Sequence, residues 1–324
     1  MPDSLIKRFL KPFLVATILG ILTYSVLVLY GDAKSIGDSL VKFKWHFFFC
    51  ALGLALANYM LRFVKWTYYL KCLDIKIPVK ESLVVFLSGF TVSITPAKLG
   101  EVLKSLLLKE SRNISIARTA PIVVAERLTD LIAILILSLV GSIAYRYGWV
   151  FVIGSSAAVL LLVLLITVRR LGEAAVGAFT RLPFLKKWKN KIWESYESTY
   201  LMAKPDRLAW PVLLSVFAWM SECVAFYLIA NGMGSWHLDM LPATFIYAFS
   251  TAAGALAMMP GGLGVTEGGL TGLVQVLSEN RFTPAQASAT TILTRLATLW
   301  FAVFIGITAL MIYIRVYMKK KTKP

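Results

Sequence analysis

The sequence predicts an all-α integral membrane protein. About six spanning helices and two re-entrant helical hairpins form an inverted repeat, with both termini on the cytoplasmic side. Three observations predict this. Hydrophobic residues make up 58 % of the 324 residues, and the mean hydropathy is +0.72, far above the balance of a soluble domain. Several apolar runs reach the roughly 20 residues that cross a bilayer. Two further apolar runs break at proline and glycine and carry charge beside the break.

The spanning helices are expected at 13–30, 45–66, 120–145, 149–168, 208–230 and 285–314. The first follows Lys7, Arg8 and Lys11, as a signal peptide would. Its apolar stretch is too long for that, and no small-residue cleavage site follows, so a retained helix is expected. The last run is longer than one crossing needs and should tilt or project beyond the core.

The formal net charge is +17. Such a charge can mark a nucleic-acid binder, but its distribution excludes that reading. With the first helix running outward, the outer segments hold only Lys34, Lys42, Lys44, Arg146 and Arg281. The other extramembrane lysines and arginines fall on inner segments. This bias orients the chain with both ends inside, and places basic residues against anionic headgroups.

Two apolar segments, 82–109 and 243–277, do not fit the count of six. The first breaks at Pro96, the second at Pro260-Gly261-Gly262. Each arm is about 14 residues or roughly 21 Å of helix, too short for a hydrocarbon core of about 30 Å. Proline removes a backbone donor and disfavours helix at the preceding residue. Each segment therefore reads as a helix in, an unwound turn, and a helix out. The first should dip in from the cytoplasm and the second from the exterior, giving inverted units 45–145 and 208–314 within one transmembrane domain, 1–324. Broken helices meeting near the midplane are a transporter feature.

Charge in these segments is costly, about 2.5–3.5 kcal/mol per group on insertion scales. In the first unit it comprises Lys98, Glu101 and Lys104, beside Pro96 and Gly100, then Glu126, Arg127 and Asp130. Helical spacing puts Glu101 on a face with Lys98 and Lys104, and Asp130 on a face with Glu126 and Arg127. In the second it comprises Glu267 after Gly264, then Arg295, with Glu222 on the preceding span. Glu101–Arg127 and Glu267–Arg295 are expected as ion pairs that staple each hairpin or open to a headgroup. An arginine suits bidentate binding of phosphate. Arg62, Lys65 and Lys104 read as cations snorkelling to the cytoplasmic interface. Gly264, Gly268 and Gly272, at steps of four, read as a small-residue packing seam.

Cys50, Cys72 and Cys223 are scattered and read as free thiols. His46 and His237 lie far apart, so neither a metal nor a cofactor is expected. Segment 169–207 is a basic connector; its mix of lysine with Trp188 and Trp193 suits an amphipathic helix on the cytoplasmic face.

The pieces Thr95-Pro96-x-x-x-Gly100-Glu101-x-x-Lys104, Glu126-Arg127-x-x-Asp130 and Pro260-Gly261-Gly262-x-Gly264-x-x-Glu267, with the later Arg295, resemble the flippase-like transmembrane family of lysylphosphatidylglycerol synthase, the membrane half of multiple peptide resistance factor. The resemblance covers most of the chain. It implies a bacterial or archaeal inner-membrane protein that moves a charged-headgroup phospholipid or lipid-linked intermediate between leaflets. Its partners would be membrane lipids with a phosphate-bearing or zwitterionic headgroup, and a homo-oligomer is compatible. Full-length members continue into an aminoacyltransferase domain; this chain ends at a lysine-rich tail, so that activity is not carried over. Two other readings are an intramembrane enzyme acting on lipid phosphates or polyprenyl carriers, and a non-transporting partner of an envelope glycosyltransferase. The enzyme reading lacks HExxH and GxSxG motifs.

Overall fold

The computed structural model describes residues 2–95, 102–143, 153–154, 156–157, 160–161, 164, 168–180, 192–193, 196–197, 200, 202, 205–234 and 236–318. All regular elements among them are helical. In chain order they are α1 (Pro2–Gly31), α2 (Ala33–Lys42), α3 (His46–Cys72), α4 (Val79–Ser88), α5 (Leu103–Arg112), α6 (Ile116–Ser142), α7 (Arg169–Thr180), α8 (Pro205–Gly232), α9 (Met240–Leu256), α10 (Val265–Leu277), α11 (Pro284–Arg295) and α12 (Phe301–Tyr313).

Among the described residues, three helices are long and apolar enough to cross a membrane: α3, α8 from Arg207, and the continuous run Pro284–Tyr317 that joins α11 to α12. The last has 34 residues, about 51 Å of helix, as its long apolar run foretold. The expected span at 120–145 is a helix of 27 residues, α6. It is long enough, but Glu126, Arg127 and Asp130 interrupt its apolar character. The span expected at 149–168 and the lysine–tryptophan stretch of the connector fall largely outside the described residues.

Helix α2 was not expected. Asp32 starts it, accepting hydrogen bonds from the Ser35 N–H at 3.0 Å and the Ser35 hydroxyl at 2.9 Å. These bonds favour the ionised form and hold the Asp32 carboxyl below its ordinary value. Ile36 is the residue α2 buries, in a core shared with α8 and α11.

Both broken segments are hairpins whose arms run antiparallel. In the first, Glu81 meets Arg112 and Gly89 lies against Lys104. In the second, Ser250 lies against Gly269 and Gly254 against Thr266. The first hairpin leaves α4 through a single 3-10 turn, Gly89–Val92. The second turns through Pro260–Gly262, another 3-10 turn, where Gly261 has φ +62° and Gly264 has φ +85°. Glycine reaches these left-handed conformations without the Cβ penalty other residues meet.

The first hairpin packs on α12 and the second on α6. A Cβ on Gly141 of α6 would lie 2.5 Å from the Phe245 nitrogen of α9. A Cβ on Gly306 of α12 would collide with the Thr91 nitrogen and lie 2.6 Å from the Phe90 carbonyl carbon. Glycine lets helix and hairpin backbones touch at both places. The expected seam is different: Gly264, Gly268 and Gly272 face open space, and Gly269 makes the close approach instead. Helices α3 and α8 pack along their length, joined by Asn58 Nδ2 donating to the Ala218 carbonyl at 2.7 Å.

Candidate functional site

The helices surround a cavity of about 260 Å³. Its charged wall is built on helices, which hold side chains more rigidly than loops do. Helix α3 contributes Arg62, α6 contributes Arg127 and Asp130, α8 contributes Glu222, and the junction of α11 with α12 contributes Arg295. Tyr59, Trp219 and Tyr247 supply aromatic walls.

Asp130 is the hub of one side. Its Oδ2 pairs with Arg127 at 3.0 Å and accepts from Arg62 at 3.3 Å, and its Oδ1 accepts from Lys65 at 2.6 Å. Lys65 is buried and has no room to snorkel. Its ammonium has three protons to place, and three acceptors meet it: Asp130, Ser215 at 2.7 Å and Thr129 at 3.2 Å. Ser215 also donates to Asp130 at 3.2 Å. This network ties α3, α6 and α8 together.

Glu267 and Arg295 organise the opposite side. Glu267 sits in the first turn of α10, where its Oε2 accepts the Gly264 N–H at 2.7 Å. Its Oε1 accepts Arg295 Nε at 2.6 Å. Arg295 Nη2 then donates to the Gly261 carbonyl at 2.5 Å. One guanidinium thus holds both the start of α10 and the turn before it. A π-helical stretch, Leu296–Trp300, follows Arg295 immediately. Such bulges often accompany functional sites, and this one carries Thr298 and Leu299 of the cavity lining. Tyr247 donates to Glu222 Oε2 at 2.6 Å.

The candidate residues divide. Arg127, Asp130, Glu222, Arg295, Gly261 and Gly262 line the cavity. Glu267 backs it through Arg295. Lys104 and Glu126 form a buried pair at 2.5 Å outside the lining, with the Lys104 ammonium 4.6 Å from the Trp66 ring and 5.4 Å from Phe86. Arg62, Lys65 and Lys104 are therefore not snorkelling cations: all three are buried and paired with the acids of α6. Pro96, Lys98, Gly100 and Glu101 lie outside the described residues, and with them the expected Glu101–Arg127 pair.

The family model described as the lysylphosphatidylglycerol synthase TM region matches residues 17–306, nearly the whole chain. The chain belongs to that family. Similar proteins include the UPF0104 membrane protein PH1989 of Pyrococcus horikoshii, 24 % identical over 322 residues, covering 89 % of this chain and 93 % of the relative. A UPF0104 membrane protein of Methanothermobacter thermautotrophicus is 21 % identical, covering 91 % and 94 %. One from Methanocaldococcus jannaschii is 28 % identical over 236 residues, covering 69 % and 94 %. The chain is thus a multi-pass membrane protein with archaeal relatives. The matched residues contain both hairpins and every cavity-lining group named above.

Sequence reading passed over Arg62, Lys65, Tyr59 and Tyr247 as site residues. A signal for the first three was present. Asn58, Tyr59, Arg62, Lys65, Trp66 and Tyr69 recur at steps of three and four along α3, which marks one helical face. Tyr247 carries no comparable sign within its apolar run.

Proposed function

We propose that this protein binds a phosphate-bearing or zwitterionic lipid headgroup in the cavity and moves it between leaflets of the cytoplasmic membrane. One observation carries the reading: arginines from both units, Arg62 and Arg127 on one side and Arg295 on the other, border a single cavity within an apolar protein. Intramembrane ionisable groups that face a cavity mark substrate paths. Arginine's planar fork matches phosphate oxygens, so a phosphate can exchange for part of the Asp130 carboxylate in the Arg62–Arg127 bonds.

We read the hairpins as re-entrant and the units as an inverted repeat, with both termini cytoplasmic. Three features support this: the basic bias of the inner segments, the matching helix–hairpin–helix order, and the reciprocal docking of each hairpin on the other unit's last helix at Gly141 and Gly306. A pseudo-two-fold relation yields such an exchange, and it gives a site reachable from either leaflet in turn. We favour a transporter over an enzyme because the sequence offers no recognisable nucleophile or hydrolytic motif.

The test is reconstitution in phosphatidylglycerol vesicles, following exposure of a labelled headgroup to a membrane-impermeant quencher. The wild type should accelerate headgroup exchange, and an Arg62→Ala, Arg127→Ala variant that still folds should lose most of it. An unchanged rate in that variant would remove the mechanism.

A further inference from the structure

We infer, on the transport reading above, that the ligand's acyl chains leave the cavity across residues 255–259, so that the turn of the second hairpin forms a lateral portal into lipid. Volume sets the first constraint. Pockets for drug-sized ligands span about 300–1,000 Å³, and this cavity, at about 260 Å³, lies just below that range. It holds a headgroup and leaves no room for two acyl chains. The chains must therefore cross its wall.

Most of that wall is closed, since Tyr59, Asp130, Ile134, Trp219 and Tyr247 are buried. The exposed lining lies together at the end of α9. Leu256 is 69 % exposed, Met258 68 % and Met259 37 %, with Ala255 exposed beside them. Every side chain in 255–259 is apolar. A mouth built for a soluble anion would carry polar groups; this rim fits hydrocarbon.

Depth agrees with chemistry. The turn is bonded to Arg295 through the Gly261 carbonyl. Arg295 lies eleven residues, about 16 Å, into the 34-residue run that begins at Pro284, so a hydrocarbon core of about 30 Å centred on that run encloses it. The rim thus sits where acyl chains are and headgroups are not. Methionine's unbranched, polarisable side chain adapts to irregular apolar partners. Met258 also adopts φ +51°, a left-handed conformation uncommon outside glycine and concentrated at functional sites.

Two measurements on the full chain in phosphatidylglycerol vesicles test this. A nitroxide is attached at Met258→Cys after Cys50, Cys72 and Cys223 are replaced by serine. Collision with oxygen, which partitions into hydrocarbon, should exceed collision with a water-soluble nickel chelate. The reverse order means a water-filled mouth and overturns the portal. Second, Met258→Asp should slow headgroup exchange by at least about tenfold, because a carboxylate is costly at that depth, while Met258→Leu should keep the wild-type rate. If Met258→Asp exchanges lipid normally while Arg62→Ala, Arg127→Ala does not, the portal falls and the transport reading stands. A wild type that exchanges no lipid overturns both.

Discussion

Glu267 divides its carboxylate between its own helix and Arg295, one oxygen capping the Gly264 N–H and the other accepting Arg295 Nε. Arg295 in turn holds the Gly261 carbonyl. Both side chains are buried. Arg295→Ala strands a buried carboxylate, which costs about 3–5 kcal/mol. Arg295→Lys should fall between, because a point charge cannot reproduce the fork that reaches Glu267 and Gly261 together. A Glu267→Gln, Arg295→Met double variant removes both charges and should regain most of the lost thermal stability in detergent. If that variant also exchanges lipid at the wild-type rate, Arg295 has only a structural role.

The Asp130 hub makes a different prediction, an order of severity. Lys65 spends its three protons on Asp130, Ser215 and Thr129 in a fully buried setting. Arg127 reaches Asp130 from a side chain that is 24 % exposed. Lys65→Met should therefore destabilise by about 3–5 kcal/mol, and Arg127→Ala by about 1 kcal/mol or less after solvent screening. Asp130→Ala should be the most damaging, because it leaves Arg62, Lys65 and Arg127 crowded without the carboxylate they share. Midpoints of thermal unfolding in detergent give the order directly. Equal effects from Lys65→Met and Arg127→Ala would mean the hub does not bind the helices together.

Much of this fold was legible in the residues. Pro260-Gly261-Gly262 foretold the second turn, because positive φ demands glycine and proline ends a helix. Glu267 and Arg295 foretold their pair, because an uncompensated charge in an apolar run must find a partner. Spacing misled where direction mattered. Arg62 and Lys65 lie near a helix end and looked free to reach the interface, yet α6 presents Asp130 on the facing side. Only tertiary packing decides that. The Gly264–Gly268–Gly272 seam failed for a related reason: steps of four set a face, and nothing in the sequence says which face meets a neighbour. Helix α2 was hidden by its ten-residue length, for short amphipathic helices take their stability from packing.

The glycines can be separated by experiment. Gly141→Val and Gly306→Val each force a side chain into the backbone of the opposing hairpin. Each should cost about 1–3 kcal/mol or more, the range for overpacking a tight core. Gly268→Ala and Gly272→Ala meet nothing within 4 Å and gain helix propensity worth up to about 1 kcal/mol. Unfolding midpoints should therefore drop for the first pair and hold or rise for the second. Loss of stability at Gly272→Ala would show a contact on that face.

Lys104 and Glu126 offer a test of which buried charges belong to the site. The pair joins α5 to α6 at 2.5 Å, and the Lys104 ammonium sits 4.6 Å from the Trp66 ring and 5.4 Å from Phe86. Gly89 makes this possible, since a Cβ there would lie 2.8 Å from Lys104 Cγ. Lys104→Met strands Glu126 and should cost about 3–5 kcal/mol. Adding Glu126→Gln should recover part of it, because a neutral amide is far cheaper to bury than a carboxylate. The pair lies outside the cavity lining, so the double variant should exchange lipid at the wild-type rate per folded molecule, unlike Arg62→Ala. Folded double variant that had lost exchange would instead move Lys104 and Glu126 into the transport path, and would make the first hairpin a working part rather than a clamp.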